Sequence, residues 1–448
     1  MTTEIRVPIA TSIRRAPTAT RSPIVVGTIL GIAAACVGLV LPYLPRTLNP
    51  ALLFSVLALS LAVLSKPRGA LLRTRVATLD IGFIAFVVLS IIIEFANSSF
   101  LSIGFSWSSV VTHLTALFAY GAVRLSVQRI EDIFTILRGV VIVAVPVAVI
   151  GALQLVAGRT YNSLLVGVTD SAGLERRLEL GWPLRATSTI GHWTALSGYL
   201  TMTIAAACAL MLWRARNSEP YRWISLAITI MFVAQLATVT FAPIAVSVII
   251  VVATAVQMHL KVSHIIVGAI TAGTGYILFN AQLTHRLDQQ LNAPANQSNS
   301  ILPESVQYRI GIWERETIPA ILDKPVMGWG VNVYNRISTG NAPSQIFWPS
   351  PESEWMRTAI AQGIPLAIIQ LALLVFAWKL MKHANAKLPG AEYRPLVIAG
   401  LGIIFVSTFH SHFSSGSVSL LYWIAAAAAA TVSFADPVAS ESPRKNKG

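Results

Sequence analysis

The sequence is poor in charge. Only 12% of its 448 residues are Asp, Glu, Lys or Arg, whereas 54% are hydrophobic, and mean hydropathy is +0.66. That charged share is about half the usual one for a soluble domain, which excludes an ordinary soluble fold. Short segments of alternating polarity are missing too, so a membrane β-barrel is excluded. There are two cysteines, Cys36 and Cys208, each inside an apolar run; they give neither a disulfide framework nor a metal-ligand cluster. The chain has no phosphate-binding glycine loop, no HExxH and no dinucleotide fingerprint, which leaves an ATP-driven pump and a zinc protease unsupported. No metal or cofactor is expected. Acidic side chains are scarce as well: the 33 basic residues outnumber 19 acidic ones, for a net charge of +14. Their placement, described next, argues for membrane topology and not for nucleic acid.

What is present is a series of long uncharged apolar runs, and they predict an all-α, polytopic transmembrane helical bundle. About twelve spans are expected: Ile24–Tyr43, Asn49–Leu64, Ala77–Phe95, Trp107–Val123, Gly139–Ala157, Ile190–Trp213, Trp223–Thr240, Pro243–Leu260, Ile265–Gln282, Thr358–Leu380, Pro395–Phe409 and Ser417–Phe434. With the N-terminus inside, about two thirds of the basic residues fall in the tails and inner turns, and the short outer turns are almost free of them. This is the bias that orients multi-span proteins, so both termini are expected in the cytoplasm. The organisation that follows is a cytoplasmic tail 1–23, retained because the next apolar run is too long for a signal-peptide core. Spans one to nine occupy 24–282 with an outer loop at 158–189. A large structured extracytoplasmic loop fills 283–357, spans ten to twelve fill 358–434, and a cytoplasmic tail ends the chain at 435–448.

Ionisable residues inside the runs are few. Asp80 and Glu94 sit near the two ends of span three, where they can snorkel to the interfaces. His113 reads as a hydrogen-bonded core histidine. Gly27 and Gly31 predict a close helix contact, and Ala425–Ala430 predicts packing. Polar chemistry gathers instead in the outer segments, and most of all in Tyr308–Gly330. Arg309 and Trp313 are four apart and share one face of a helix. Asp323-Lys324-Pro325 ends that helix, because proline cannot continue the ladder. Gly328 and Gly330 then permit a tight turn. Gln289–Ser300, before it, is rich in Asn, Gln, Ser and Pro. An outer turn His410-Ser411-His412-Phe413-Ser414 follows span eleven. Arginine's planar fork suits a bidentate grip on phosphate oxygens. Interfacial arginines also serve as plain anchors or pair with acids such as Glu179 or Glu316, and spacing alone leaves both readings open.

The run from Arg309 and Trp313 through Pro325-Val326-Met327-Gly328-Trp329-Gly330 resembles the signature loop of the O-antigen ligase and Wzy-type polymerase family. Arg185-Ala186-Thr187-Ser188-Thr189-Ile190-Gly191-His192 resembles that family's second arginine motif, and Ser353-Glu354-Trp355-Met356-Arg357 with Gly363 resembles the re-entry of the loop into the membrane. Three positions depart from the pattern: Glu352 stands where a histidine is common, Trp193-Thr194 replaces Pro-Asn, and Ala242-Pro243 replaces Ser-Arg. The resemblance implies a bacterial cytoplasmic-membrane glycosyltransferase with its site facing outward. It would transfer or polymerise a glycan from a polyprenyl-diphosphate-linked oligosaccharide donor onto a glycan or other hydroxyl acceptor, without metal and with inversion. It assigns Arg309 and Arg185 to the diphosphate and Glu352 to the general base, with Glu354, His192 and His410 as substitutes. Substrate contacts are expected from His192, Trp313, Gly328, Gly330 and Glu354, and sugar stacking from Trp313, Trp329 or Trp348. The competing readings are a twelve-span transporter or flippase of lipid-linked glycans and a non-catalytic glycan sensor. A transporter usually shows matched broken helices and ionisable groups at the midplane, and this sequence has neither.

Overall fold

The structure, a computed structural model, describes residues 22–40, 49–66, 77–100, 105–259, 279–291, 304–339 and 342–434, with single positions at 273, 275 and 277. The tail 1–21, most of the expected ninth span, the polar stretch 292–300 and the tail 435–448 lie outside the described residues. Among the described residues every named element is helical, and the one extended pairing is an isolated bridge between Leu39 and Thr169.

The first half contains α1 (Ser22–Ala35), α2 (Pro50–Leu64), α3 (Thr78–Phe100), α4 (Trp107–Ser126) and α5 (Ile130–Val156). Two short helices follow, α6 (Gly158–Val168) and α7 (Ala172–Glu179), and then α8 (Trp193–Arg216), α9 (Arg222–Ala237) and α10 (Phe241–Gln257). The second half has α11 (Asn280–Leu291), α12 (Glu304–Ile312), a π-helical turn (Trp313–Thr317) and α13 (Ile318–Asp323). It closes with α14 (Glu354–Gln362), α15 (Ile364–Lys387), α16 (Arg394–Val406) and α17 (Ser417–Phe434). Four helices, α3, α5, α8 and α15, are long and apolar enough to cross a membrane. Seven shorter apolar stretches of 10–17 residues accompany them.

Residue size decides which helix sits in the middle. α8 carries Gly198, Ala205-Ala206-Ala207 and Ala209, and its apolar window is wholly buried; it packs on α5, α9, α10, α16 and α17. By contrast α3 leaves Ile81, Ile84, Val88, Ile92 and Phe95 exposed, and α15 leaves Ile368 exposed. Such rows are stable only against lipid. Gly27 and Gly31 do make the expected close contact: a Cβ on Gly27 would fall 2.4 Å from the Ile136 carbonyl of α5, and one on Gly139 would fall 2.4 Å from the Thr28 nitrogen. The alanines of α17 are buried, as packing requires.

Three expectations need correction. Asp80 does not snorkel; Arg124 donates to it from Nε at 3.0 Å and Nη2 at 3.1 Å, and the Tyr120 hydroxyl at 2.5 Å. Glu94 is fully buried, and its carboxylate accepts from the backbone of Ser106 and of Val331, each at 3.1 Å. Burying a carboxylate is costly unless it is hydrogen-bonded, and here it ties α3 to the segment at Val331. The helix expected from Thr358 begins instead at Ile364, because Gly363 (φ +90°) breaks the chain between α14 and α15. A Cβ there would lie 2.0 Å from the Val326 carbonyl, so only glycine admits the close approach.

Candidate functional site

Two segments, one before α8 and one around α12, are fastened independently and meet. In the first, Gln154 of α5 is buried and its Oε1 accepts from the backbone of Thr187 at 2.7 Å and Ser188 at 2.6 Å. The Ala186 amide donates to Ala237 at 3.0 Å. These bonds hold Arg185 at the C-terminal end of α9. There its Nε donates to the Thr238 carbonyl at 2.9 Å, and its Nη2 to the Val239 carbonyl at 2.8 Å and the Thr240 hydroxyl at 2.9 Å. A cation is well placed at a helix C-terminus, where carbonyls lack partners. Val239 reaches Arg185 only by adopting φ +51°, a rare conformation for a β-branched residue.

In the second segment, Arg309 and Trp313 turn the same face of the helix toward residues 350–352, as their spacing predicts. Trp313 Nε1 donates to the Pro351 carbonyl at 2.6 Å. Arg309 Nη1 donates to the Ser305 carbonyl at 2.8 Å, and Nη2 stands 3.5 Å from Glu352 Oε2. Its Nε is buried with no hydrogen-bond partner among the described residues. Glu352 itself has φ +54°. A non-glycine residue held in that region stores roughly 1–3 kcal/mol and persists only where its surroundings fix it, which is common at functional sites.

Arg185, Arg309, Glu352, His192 and His410 line one cavity of about 500 Å³, together with Arg177, Trp193, Tyr308 and Phe409. Trp193 carries a guanidinium on each account: Arg177 and Arg185 both lie 4.8 Å from its ring centroid. The side chain that sequence reading missed is Arg177. Leu174 marks the buried face of α7, and Arg177, three residues on, shares that face whereas exposed Arg176 does not. That spacing was the available signal. The Ala242-Pro243 pair supplies no cation, although Ala242 lines the cavity.

The histidines here are neutral. His410 is pushed well below the ordinary histidine value by desolvation, then by His412 and by the Arg309 and Arg185 charges. His192 opens onto the cavity while protein surrounds its other sides. Desolvation, then Arg185, Arg177 and Arg357, bring it down to about 4. The surviving formal charges in the cavity are therefore three guanidiniums and the Glu352 carboxylate. Tyr308 is pushed up to about 12 by desolvation and then by Glu352 and Glu316. Of the acids suggested as plain partners, Glu316 is engaged by backbone: its Oε2 accepts from Phe347 at 2.9 Å and Trp348 at 2.8 Å.

Other expected site residues stand elsewhere. Gly328 (φ +70°) and Gly330 (φ +85°) form the turn, but against α14: Trp329 donates its amide to Ile360 and Gly330 to Ala361, both at 2.8 Å. A Cβ on Gly328 would meet the Ala361 backbone at 2.5 Å, so this glycine serves packing and lies outside the cavity. Trp313 braces the Glu352 segment and stacks on Phe409 instead of facing the cavity. Trp329 is engaged by Lys324 and by the Ala320 carbonyl, and Trp348 lies edge-on to Tyr308. Glu354 is buried and accepts from the Ser414 amide at 3.1 Å and hydroxyl at 2.8 Å; it borders a second cavity.

Residues 194–371 match a family model described as O-antigen ligase. The matched stretch contains Arg309, Glu352 and the 238–242 turn, and leaves Arg177 and Arg185 before its start. The match supports an O-antigen ligase or Wzy-type family for the chain and, with the apolar helices, a membrane glycan-processing function. No curated protein matches the chain.

Proposed function

We propose that this chain transfers or polymerises a glycan from a polyprenyl-diphosphate-linked donor onto a hydroxyl acceptor at the outer face of a bacterial cytoplasmic membrane. The observation that carries this reading is the convergence of Arg185 and Arg309 on one cavity beside a carboxylate. Three guanidiniums and one carboxylate leave an excess of positive charge, which suits a diphosphate. The planar Arg309 fork adds geometry to that charge, whereas Arg185, held by residues 238–240, contributes its fixed positive charge.

In the step proposed, the acceptor oxygen attacks the anomeric carbon from the face opposite the diphosphate. The new carbon–oxygen bond forms as the old one breaks, its electron pair leaves with the lipid diphosphate, and the acceptor's proton passes to Glu352. The anomeric configuration inverts. Arg309 and Arg185 stabilise the charge growing on the leaving group, as preorganised donors aimed at developing charge do, so the step is written without a metal. Glu352 meets Arg309 only at 3.5 Å. An incoming phosphate oxygen can displace so long a contact, freeing the carboxylate to act as base. Neutral His410, in the same cavity, is the alternative proton acceptor.

The test is direct: purified protein, a lipid-linked oligosaccharide and a glycan acceptor, scored for product and released lipid diphosphate. Transfer that depends on both arginines supports the reading. Donor left intact with several acceptors, or moved across a bilayer without bond cleavage, contradicts it.

A further inference from the structure

A second cavity, of about 350 Å³, is walled by the same two stretches of chain as the first. Glu352 and His410 face the first cavity, whereas Glu354 and Ser414 face the second. The second runs down between α3, α4, α15 and α17. Phe83 and Trp423 line it, stacked at 3.8 Å and 13°, and so do Phe86 and His113, which meet edge to face at 5.3 Å. Nearer its mouth stand exposed Asp170 and Ser108 and the half-buried Arg357. The Arg357 guanidinium and the Asp170 carboxylate make no hydrogen bond or ion pair among the described residues, so both are available to a ligand.

The charge here differs in sign from that of the first cavity. One guanidinium faces two carboxylates, so a phosphate is disfavoured. An apolar floor of buried rings, with Phe83 and Trp423 stacked on each other, and separate hydrogen-bonding groups above suit a neutral sugar ring, whose hydroxyls find donors and acceptors there. We propose that this cavity is an acceptor subsite: it holds one neutral sugar ring of the acceptor, so that the next ring presents its hydroxyl across the shared wall to Glu352. The acceptor role rests on the transfer reaction proposed above; the sugar site itself does not.

Two experiments on the full chain separate these claims. Ser108→Cys is labelled with a maleimide in detergent, with the parent chain as control for Cys36 and Cys208. Methyl glucoside, galactoside and mannoside, methyl glucuronide and inorganic diphosphate serve as probes at roughly 50 mM, since a lone ring binds weakly. At least one neutral glycoside should slow labelling about fivefold, diphosphate should not, and Asp170→Asn should weaken the protection. Protection by diphosphate, by the glucuronide alone, or by no neutral glycoside overturns the sugar site. In the transfer assay, Arg357→Gln should raise the acceptor KM about tenfold and leave the donor KM within about twofold, and disaccharide acceptors should outperform monosaccharides. A rise confined to the donor KM, or a loss confined to kcat, overturns the acceptor role while the transfer reaction stands. No transfer by the parent chain overturns the acceptor role together with that reaction, and the labelling result then stands alone.

Discussion

The two cavities use the same backbone for opposite ends. Residues 352–354 and 409–414 form the wall between them, yet one side gathers Arg177, Arg185 and Arg309 around Glu352, and the other sets Arg357 against Asp170 and Glu354. The same stretches thus border a cationic space and an aromatic one in which carboxylates outnumber guanidiniums. The device is local backbone geometry: Glu352 at φ +54° and extended Ser353 (φ −147°) send the two glutamates to different sides. A like-charge mismatch in a partly desolvated space costs several kcal/mol, so the two spaces favour ligands of different charge.

That contrast can be broken most severely at the arginines. Arg309→Ala should lower kcat/KM for transfer about 100-fold or more, and Arg309→Lys nearly as much, because lysine keeps the charge but loses the fork. Near-normal turnover by the lysine variant would remove the diphosphate role. Glu352→Gln should reduce kcat about 100-fold with the donor KM little changed. An unchanged kcat would move the base to His410, where His410→Gln tests it in turn. A smaller effect is expected at the third guanidinium of the cavity: Arg177→Gln should raise the donor KM roughly tenfold, a loss fitting one charged contact, whereas Arg176→Gln should change it less than about twofold. Equal effects of the two would mean that the inward face of α7 carries no special weight.

The smallest effect is on stability. His412 is buried, and neither ring nitrogen has a hydrogen-bond partner among the described residues; its ring fills the space over Gly198 of α8. Desolvation and then His192 lower its pKa to about 3. The folded pKa lies below the unfolded one of about 6.5, so the unfolded state takes up the proton first. This stabilising contribution is complete above about pH 6.5 and is lost as pH falls from there toward 3. Thermal unfolding in detergent between pH 8 and 4 should show Tm falling on the acid side, and His412→Gln should flatten that fall. A parent Tm that does not change with pH would contradict the burial of a neutral ring.

Local chemistry was legible in the sequence, and long-range pairing was not. The shared face of Arg309 and Trp313, the helix end at Asp323 and the tight turn at Gly328 and Gly330 follow from spacing and from proline and glycine geometry. So does a close helix contact at Gly27 and Gly31, though not that its partner is α5. What the glycines pack against depends on α14, which nothing near them in the chain announces. Glu94 looked free to snorkel because its partner Val331 is 237 residues away. That Glu352 and Glu354 turn to different cavities was not legible, since no spacing rule foretells a left-handed residue that is not glycine. Arg177 was hidden among four outer arginines until α7 gave it a face.

The central claim is that Arg185 and Arg309 act on one anion. A double-mutant cycle measures it: the Kd of a polyprenyl diphosphate for the parent chain, Arg185→Gln, Arg309→Gln and the double variant. If both guanidiniums act on the same diphosphate, each single change weakens binding and the two are coupled by roughly 0.5–3 kcal/mol. Penalties that simply add to within about 0.5 kcal/mol, or a single variant that binds like the parent, would contradict the account.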